Sequence, residues 1–588
     1  FYKQFGLTLA VSIILSAINA LTLAPALCAL VLKPHDAHPA AKKNLLQRFY
    51  ANFNIAFEAT TRKYKRGVGF LIRKKWIALT AIAVFGGLFA YLMTTTPKSF
   101  VPTEDTGSIM AEVQMPVGTS EERTMEVLDQ LQQVVQDMPE LESFLKVAGR
   151  GMMSGAGSNY GMFIMKLKHW DERKGEAHSS AGLIKQLFAK ASVIRDANII
   201  FFARPAIQGF GMGSGFEMQL QDQMGAGILK LNEVKDDFIK ALRARKEIQY
   251  VNTSFNPNFP QYLIDVDVAA AKKAGLTVSD ILSTLQGYYG GVYASNFNTY
   301  GKQFRVMYQA EPEYTADLNT LNLVKVRNSQ GQMAPIAQFI TLEKVYGPQT
   351  INRFNLFTAV SLNGAPNPGY SSGDAIRAID EVAEQTLPVG FGYEYSGMTR
   401  EEMNSGGQTV YIFLLCLVFV YFLLAAQYES YLLPFAVLLS LPIGLAGTFI
   451  FAQLFDVSNN IYLQITLIML IGLLAKNAIL IVEYAVERRK SGMRLVDAAI
   501  SGAVARFRPI LMTSFAFILG LVPLMLSQGA GAVGNKSIGA GAIGGMLIGT
   551  VLGVFVIPAL FIIFQSLQEK VSRKKINYDA VNNDTQPA

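Results

Sequence analysis

The residue of this sequence that most clearly requires a chemical role is Lys476, which lies inside an apolar run long enough to cross a lipid bilayer. The run covers residues 461–484, and Asn477 follows the lysine directly. An ammonium group at membrane depth is energetically costly, so it needs both a partner and a function. Helical spacing puts Gly472 and Glu483 on the same face, which predicts that this face looks into a helix bundle and away from lipid. Glu483 lies close to the cytosolic end, and no other apolar run contains Asp or Glu. We therefore expect the acidic partner of Lys476 to lie outside this chain, and the chain to be a piece of a longer protein. A neutral lysine in a polar cavity is the alternative.

A glycine-rich segment at residues 149–161 (GRGMMSGAGSNYG) is predicted to be a mobile loop between two strands, with aromatic and methionine residues around it. No helix begins directly after this segment, so phosphate binding is a poor interpretation. Aromatic and methionine side chains suit an adaptable pocket for diverse apolar ligands, although strand alternation predicts that about half of them are core. Nearby candidates of the same kind are Met162, Phe201 and Phe216. The residues that we assign to the pocket are Phe144, Arg150, Met152, Met153, Tyr160, Phe163, Phe202, Arg204, Phe210 and Met212.

The composition describes a polytopic membrane protein that carries a large soluble portion. Of the 588 residues, 51% are hydrophobic and 16% are charged, and the mean hydropathy is +0.27. The net charge of +8 does not indicate nucleic-acid binding, because the basic residues cluster beside the apolar runs. Cys28 and Cys416 each lie within an apolar run, so no disulfide framework is predicted.

Seven apolar runs are predicted to span the membrane as helices. They cover residues 6–32, 77–93, 410–426, 431–454, 461–484, 509–526 and 538–564. Flanking basic residues predict which connecting segments are cytoplasmic. These are the segment between the first two runs, the segment around residues 487–508, and the segment after the last run. Residues 42–66 are predicted to form an amphipathic helix in the membrane interface, with a soluble core helix as the weaker alternative. The predicted divisions are 1–33 (first span), 34–75 (cytoplasmic segment), 76–95 (second span), 401–568 (five spans) and 569–588 (cytoplasmic tail).

Between the second and third runs, residues 96–400 form a long extracytoplasmic region with a mixed α/β pattern. Residues 96–212 show the order strand–helix–strand–strand–helix–strand, which is the split βαβ pattern of ferredoxin-like units. A second copy is predicted over residues 213–260 and 347–400, interrupted by a mostly β insertion at 261–346. The predicted fold class is therefore an α-helical polytopic bundle of seven spans with two ferredoxin-like subdomains and one β-rich insertion.

Three segments together resemble the resistance–nodulation–division (RND) superfamily, and most of all its hydrophobe/amphiphile multidrug efflux branch. They are AKNAILIVEYA at residues 475–485, RFRPILMTS at 506–514 and SFVPTEDTG at 99–107. The resemblance extends over essentially the whole chain and matches the sixth to twelfth membrane helices with the second porter and docking domains. It implies a secondary active transporter, not an enzyme: a proton-driven exporter of amphiphilic compounds in the inner membrane of Gram-negative bacteria.

The resemblance also implies partners and an energy source. Such pumps are homotrimers that join a periplasmic membrane-fusion adaptor and an outer-membrane channel, and they use the proton gradient without a cofactor. The family's first half, including the paired aspartates of its fourth span, is absent from this chain. Those aspartates are the groups that the family pairs with the lysine matched by Lys476.

A proton relay is expected at Lys476, Asn477, Arg506 and Thr513, since the family's matching lysine, arginine and threonine belong to its relay. A fixed cation beside carboxylates lowers their pKa, and a change of protonation frees the lysine to change partner. A structural tether is the alternative for Lys476, and a hydroxyl bonded to its own helix is the alternative for Thr513. Glycines recur every four residues in the last span, at 541, 545, 549 and 553, which predicts close helix contact.

Around the glycine-rich segment the sequence departs from the family, which prevents any transfer of substrate range. Val147 stands where the family has phenylalanine, the segment is longer, and Arg204 replaces a hydrophobic residue. The thioethers of Met110, Met152 and Met153 also suit Cu(I), which gives heavy-metal efflux as an alternative. Metal-exporting relatives lack the AKNAIL segment, which disfavours it. A non-transporting membrane scaffold or protein-export accessory is a further alternative, disfavoured by the retention of Lys476 and of a full periplasmic region.

Overall fold

The computed structural model describes residues 2–31, 45–205, 207, 209–211, 215–315, 317–367, 369–405 and 408–572. Met212 and residues 573–588 of the predicted cytoplasmic tail lie outside the described residues, as does most of the predicted loop after the first span. The described residues contain seven helical stretches that are long and apolar enough to cross a membrane, the number that hydropathy predicts.

Four helices precede the soluble region: α1 (Tyr2–Leu21), α2 (Leu23–Val31), α3 (Leu45–Arg73) and α4 (Lys75–Thr95). α1 and α2 follow each other closely and form the first membrane-length stretch. The predicted amphipathic helix corresponds to α3, which continues beyond the predicted end at residue 66. It continues because its apolar stripe does: Tyr64, Val68 and Ile72, four residues apart, are all buried.

The first α/β unit contains four strands and two helices. In chain order they are β1 (Ser108–Gln114), α5 (Glu121–Val135), β2 (Leu141–Arg150), β3 (Ala156–Leu167), α6 (Ser180–Ala191) and β4 (Asn198–Ala203). The strands form one antiparallel sheet in the order β2-β3-β1-β4. Alternate residues of β1, among them Ile109, Ala111 and Val113, pack with both helices in one core. The opposite face of the sheet is therefore free for other contacts.

The predicted loop at residues 149–161 is wrong in extent, because both strands run far into it. Arg150 pairs with Ala156 in the β2–β3 register, so only residues 151–155 connect the two strands. The amide of Gly151 donates to the carbonyl of Gly155 over 2.8 Å and closes this turn. Gly155 has φ +78°, a conformation that glycine adopts without strain. A glycine-rich composition thus marks a tight hairpin turn here, and not a long mobile loop.

The second α/β unit repeats the strand order of the first. It contains β5 (Phe216–Asp222), α7 (Ile228–Arg243) and β6 (Ile248–Asn252), and after a long insertion β13 (Asn352–Phe354), β14 (Phe357–Pro366), α10 (Ser372–Thr386) and β15 (Phe391–Tyr395). β14 pairs with both β5 and β6, and β15 pairs with the other edge of β5. The four long strands therefore lie in the order β6-β14-β5-β15, with α7 and α10 on one side of a shared core.

The insertion mixes short helices with strand pairs. Its elements are β7 (Phe259–Val266), α8 (Val268–Lys273), α9 (Val278–Leu285), β8 (Val292–Thr299), β9 (Lys302–Tyr308), β10 (Lys325–Arg327), β11 (Met333–Pro335) and β12 (Ile340–Gly347). β7 and β12 pair along their full length and form the stem that connects the insertion to the second unit. The helices α8 and α9 supply Ala271, Ile281 and Leu285 to its core, so the insertion is less purely β than the sequence predicts.

The remaining helices form the membrane bundle. They are α11 (Gly397–Ser405), α12 (Gln408–Tyr428), α13 (Pro434–Leu438), α14 (Leu441–Leu454), α15 (Ile461–Lys490), α16 (Leu495–Met525) and α17 (Ala532–Ser572). The predicted span at 431–454 is broken between α13 and α14, where Pro442 lacks the amide that would bond Leu438.

The last helix, α17, is the centre of this bundle because its glycines allow other helices to approach its backbone. A Cβ atom added at Gly544 would lie 2.6 Å from the carbonyl oxygen of Gly447 in α14. One added at Gly541, Gly545 or Gly549 would overlap side chains of α15. Gly553 has only its own helix nearby, so the contact extends over three of the four predicted glycines.

The amphipathic helix α3 packs directly on the bundle through Tyr64. The Tyr64 ring stacks on Phe507 of α16 with 4.1 Å between ring centroids. Its hydroxyl donates to the carbonyl of Val554 in α17 over 3.0 Å. That carbonyl would ordinarily accept a bond from residue 558, which is a proline without an amide hydrogen. Tyr64 therefore satisfies a backbone acceptor that Pro558 leaves open.

Candidate functional site

Lys476 lies about halfway along α15, on a face that the neighbouring described helices leave uncovered. Gly472, Lys476 and Glu483 are exposed, whereas Ala478 and Ile481 on the opposite side are buried. Lys476 forms no ion pair with any acidic residue that the structure describes. The face that helical spacing predicted is thus an uncovered polar stripe on an otherwise apolar helix.

The neighbouring Asn477 points into the bundle and joins three helices. Its side-chain amide donates to Ser514 Oγ of α16 over 3.2 Å and to Thr550 Oγ1 of α17 over 3.4 Å. The Thr550 hydroxyl donates to Ser514 Oγ over 3.0 Å, and all three side chains are buried. Sequence reasoning missed Ser514 and Thr550, although single hydroxyl residues inside apolar spans are a usable signal for interhelical hydrogen bonds.

The other two predicted relay residues are not bonded to Lys476 among the described contacts. The Arg506 guanidinium lies over the ring of Tyr484, 4.9 Å from its centroid, and its Nε has no hydrogen-bond partner among the described residues. The Thr513 hydroxyl donates to the carbonyl of Ile510 over 3.1 Å, within its own helix. That is the geometry of the structural alternative for Thr513.

Part of the predicted pocket lies on the face of the first sheet that points away from its helices. Met110, Ile200 and Phe202 are buried there in a small cluster of their own, with Met152 and Met153 packed against them. A narrow cavity beside Met153 and Phe202 continues to the second α/β unit. The structure therefore brings together Met152, Met153 and Phe202, three of the residues that the sequence assigned to the pocket.

Other predicted pocket residues lie elsewhere. Phe163 is fully buried in the core between the sheet and its helices, because alternate residues of a strand point to opposite faces of the sheet. The Phe144 ring stacks on the Phe163 ring, with 5.3 Å between the ring centroids. The assignment of Phe163 is therefore corrected to core, whereas Phe144 is 37% exposed on the sheet's edge strand β2. Tyr160 lines two cavities, one beside α7 and one beside β14. Arg150 and Phe210 are exposed, and Arg204 is half-buried just after β4. Met212 lies outside the described residues.

Sequence reasoning also missed Glu112, which is 0% exposed on the pocket face of β1. Its carboxylate accepts hydrogen bonds from the amides of Met153 (2.6 Å) and Ser154 (3.1 Å), and from the Ser154 hydroxyl. Gln114 Nε2 also donates to it over 3.2 Å. A glutamate in an alternating strand usually indicates a solvent-facing position, so only the register of the sheet shows that this one is buried.

A second cavity, of about 530 Å³, lies where the soluble units meet the membrane bundle. The segment after α4, the start of α10 and the ends of α11 and α14 line it, with Tyr370, Ser372, Glu402 and Gln453 among the lining residues. The Ser372 hydroxyl donates to Glu402 Oε1 over 2.7 Å. None of these residues was assigned a role from the sequence.

Two adjacent carboxylates in the segment after α4 connect the bundle to the first α/β unit. Glu104 accepts from the amides of Val533 and Gly534 at the start of α17, over 3.2 and 2.8 Å. Asp105 pairs with the buried Arg173 and accepts from the amide of Ser180 at the start of α6. Burial by itself would raise the pKa of Asp105, but its hydrogen bonds, first from Arg173, lower that pKa below its ordinary value.

The described residues contain no group of three or more histidine, cysteine, aspartate or glutamate side chains that could hold a metal ion. The thioethers of Met110, Met152 and Met153 pack in an apolar cluster with Phe202.

Comparison with known proteins gives a consistent result over the whole chain. The sequence profile of the AcrB/AcrD/AcrF family matches residues 1–565. The chain is 38% identical over 569 residues to the toluene efflux pump membrane transporter TtgB of Pseudomonas putida, which covers 96% of this chain and 54% of that protein. It is 35% identical to the multidrug resistance protein MdtF and to the multidrug export protein AcrF of Escherichia coli, again over 96% of this chain and 54% of each relative. The chain spans about half the length of these relatives.

Proposed function

Because this chain belongs to the AcrB/AcrD/AcrF family, within the RND multidrug efflux transporters, we propose that it forms half of an inner-membrane exporter that expels amphiphilic compounds while protons move inward. The observation that supports this best is the exposed Lys476 on a membrane-depth face of α15. An ammonium at that depth calls for carboxylates on the facing helices, and we infer that a segment outside this chain supplies them.

The geometry around Lys476 suits a proton relay coupled to helix movement. A carboxylate pair beside the ammonium would stay ionised until a proton arrives, and protonation would release Lys476 to reorient. The neighbouring Asn477 connects α15 to α16 and α17 by the hydrogen bonds to Ser514 and Thr550, so a shift of α15 would move three helices together. Arg506 would take part from the cytoplasmic end of α16.

The two α/β units support a periplasmic substrate path. We interpret each unit as a ferredoxin-like porter subdomain, since both have the strand order of a split βαβ fold. Substrates would enter the cleft between them, where the cluster of Met110, Met152, Met153 and Phe202 offers an adaptable apolar wall. The insertion between β7 and β12 would be the docking subdomain.

The assembly and energy source are proposed by analogy with the family. The complete protein would be a homotrimer that joins a periplasmic adaptor and an outer-membrane channel, and it would use the proton gradient without a cofactor. Heavy-metal export is disfavoured, because the relatives reported above are named for toluene efflux, multidrug resistance or multidrug export.

The test is export by the complete transporter with Lys476→Ala. Without the ammonium, the partner carboxylates should have a raised pKa and remain protonated, so dye efflux from energised cells should fall to background. Lys476→Arg should fail as well, since a planar guanidinium cannot replace a compact, reorienting ammonium. Insertion should not suffer, because removal of a charge from an apolar helix lowers its transfer cost.

The matched control is Lys490→Ala at the exposed cytoplasmic end of the same helix, which should export as the wild type does. Protein in the membrane fraction is measured in parallel. Wild-type efflux by Lys476→Ala at an equal protein level would reduce this lysine to a tether and refute the relay.

A further inference from the structure

Glu112 is a buried carboxylate that depends on a five-residue turn for most of its hydrogen bonds. It stands on β1 opposite Met162 of β3 and Ile200 of β4, so its nearest cross-strand neighbours are apolar. None of the ion pairs among the described residues includes Glu112. A carboxylate in such surroundings is tolerated only while donors surround it.

Three of its four donors belong to residues 153 and 154, in the turn that joins β2 and β3. They are the amides of Met153 and Ser154 and the hydroxyl of Ser154, and Gln114 supplies the fourth. Gln114 also donates to Ser154 Oγ over 2.9 Å. A movement of this turn would therefore leave Glu112 with one donor, facing the pocket.

With the turn in place, the adjoining cavity is closed to a substrate. It holds about 20 Å³, which is enough for roughly one water molecule. Met153, Phe202, Phe216 and Tyr250 are among the residues that line it, together with one carboxylate, Glu217. Glu112 is held next to this lining by the hydrogen bond from the amide of Met153. The described residues that line it include no lysine or arginine, so this lining combines aromatic surface with the negative charge of Glu217.

We propose that Glu112 is the specificity-determining residue of this cleft and selects amphiphilic cations, which take the place of the turn's donors when residues 151–155 move away. A protonated amine supplies the donors that the carboxylate loses, and its apolar body covers Phe202 and the methionines. Aromatic rings beside the ammonium add cation–π attraction. A neutral molecule of the same shape leaves a buried charge without a partner and is disfavoured. This inference rests on the proposed export function and names its substrate class.

The experiment uses three pyrene compounds of nearly equal size: 1-pyrenylmethylamine, 1-pyrenemethanol and 1-pyrenecarboxylate. Their binding to the complete transporter in lipid nanodiscs is followed by pyrene fluorescence. The wild type should prefer the amine to the alcohol at least tenfold and bind the carboxylate least. Glu112→Gln keeps the shape and an acceptor oxygen but removes the charge, so the preference for the amine should fall to about twofold or less.

The control is Glu122→Gln, an exposed carboxylate on α5 of the same unit, which should retain the wild-type preference. Equal weakening of all three compounds by Glu112→Gln would indicate a purely structural carboxylate and overturn the proposal. A wild type that does not prefer the amine overturns it as well, and that measurement needs no variant to fold. Failure of the export function itself would appear separately, as absence of dye efflux from wild-type cells.

Discussion

At the scale of single residues, Asp105 shows how one side chain connects two parts of the fold. Its carboxylate is 19% exposed and its partner guanidinium, Arg173, only 1%. Arg173 also donates to the carbonyls of Lys168 and His178, so its position depends on the whole segment before α6. Removal of the Asp105 charge leaves a buried guanidinium without its carboxylate.

Asp105→Asn should lower the free energy of unfolding by about 2 kcal/mol, less than for a fully buried pair because Asp105 is partly exposed to solvent. The folded pKa of Asp105 is depressed, so its stabilisation is present above the unfolded pKa of about 4 and is lost as pH falls through the folded pKa.

The difference in Tm between wild type and Asp105→Asn should therefore stay constant from roughly pH 5.5 to 8 and shrink below pH 4. Thermal unfolding in detergent checks this. Asp171→Asn is the control, since the ion pair of Asp171 among the described residues is with the exposed His169. A difference that persists unchanged at about pH 3 would contradict the assignment.

The face on which an individual residue lies was predictable where that face follows from the periodicity of the sequence. Helical spacing predicted that Gly472, Lys476 and Glu483 share one face, and all three are exposed in the structure; that this face looks into a helix bundle stays a prediction. Glu112 and Phe163 were not predictable in this way, because the face of β1 or β3 that is buried depends on which helices cover the sheet. Their positions follow from the register Glu112–Met162 and from packing on α5, which no local pattern contains.

At the scale of elements, the contact between α14 and α17 depends on glycine at both sides. Gly447 and Gly544 approach so closely that a Cβ on either would lie 2.6 Å from a backbone oxygen of the other helix. Backbone cannot yield as a flexible side chain can, so a larger residue must push the helices apart.

Gly544→Val should therefore reduce the level of folded transporter in the membrane several-fold and lower its Tm by roughly 5 °C or more. Gly520→Ala, in α16, has nothing within 4 Å of the added Cβ and serves as the control. Size-exclusion profiles and thermal unfolding of both variants provide the measurement. Equal stability of the two would show that α14 and α17 separate without cost.

The helices and strands were largely predictable because their apolar periods are strong. The order strand–helix–strand–strand–helix–strand that the sequence predicts for residues 96–212 is observed as β1, α5, β2, β3, α6 and β4. The errors arose at glycine and proline, because each of these residues is compatible with more than one local structure. Glycines at 149–161 indicated a long loop but support a tight turn, and Pro442 divides an apolar run that hydropathy treats as one helix.

At the scale of the whole molecule, the segment of residues 96–105 holds the membrane bundle and the soluble units together. The Ser99 hydroxyl lies 2.7 Å from that of Ser458, just before α15, and the amide of Ile461 donates to the carbonyl of Phe100. The amide of Gly373 in α10 donates to the carbonyl of Lys98. Glu104 and Asp105 then bind α17 and the first α/β unit. We therefore expect this segment to transmit a shift of α15 or α17 to both units.

Glu104→Ala should remove the two hydrogen bonds at the start of α17, at a cost of about 1 kcal/mol, and reduce efflux by the complete transporter more than its protein level. Glu104→Gln keeps an acceptor oxygen and should retain most of the activity. Dye efflux normalised to membrane protein distinguishes the two. Full efflux by Glu104→Ala would show that this contact does not transmit movement.

The hydrogen bond from Tyr64 to Val554 also constrains the order of biosynthesis. These residues are 490 positions apart, and the acceptor belongs to the last helix of the bundle. At a synthesis rate of about 5–20 residues per second, the ribosome needs roughly 25–100 s to reach Val554 after it has passed Tyr64. Throughout that interval the binding site of α3 is incomplete, because its partners Phe507 of α16 and Val554 of α17 are translated late. Docking of α3 therefore comes after translation of the last helix and marks the completion of the bundle.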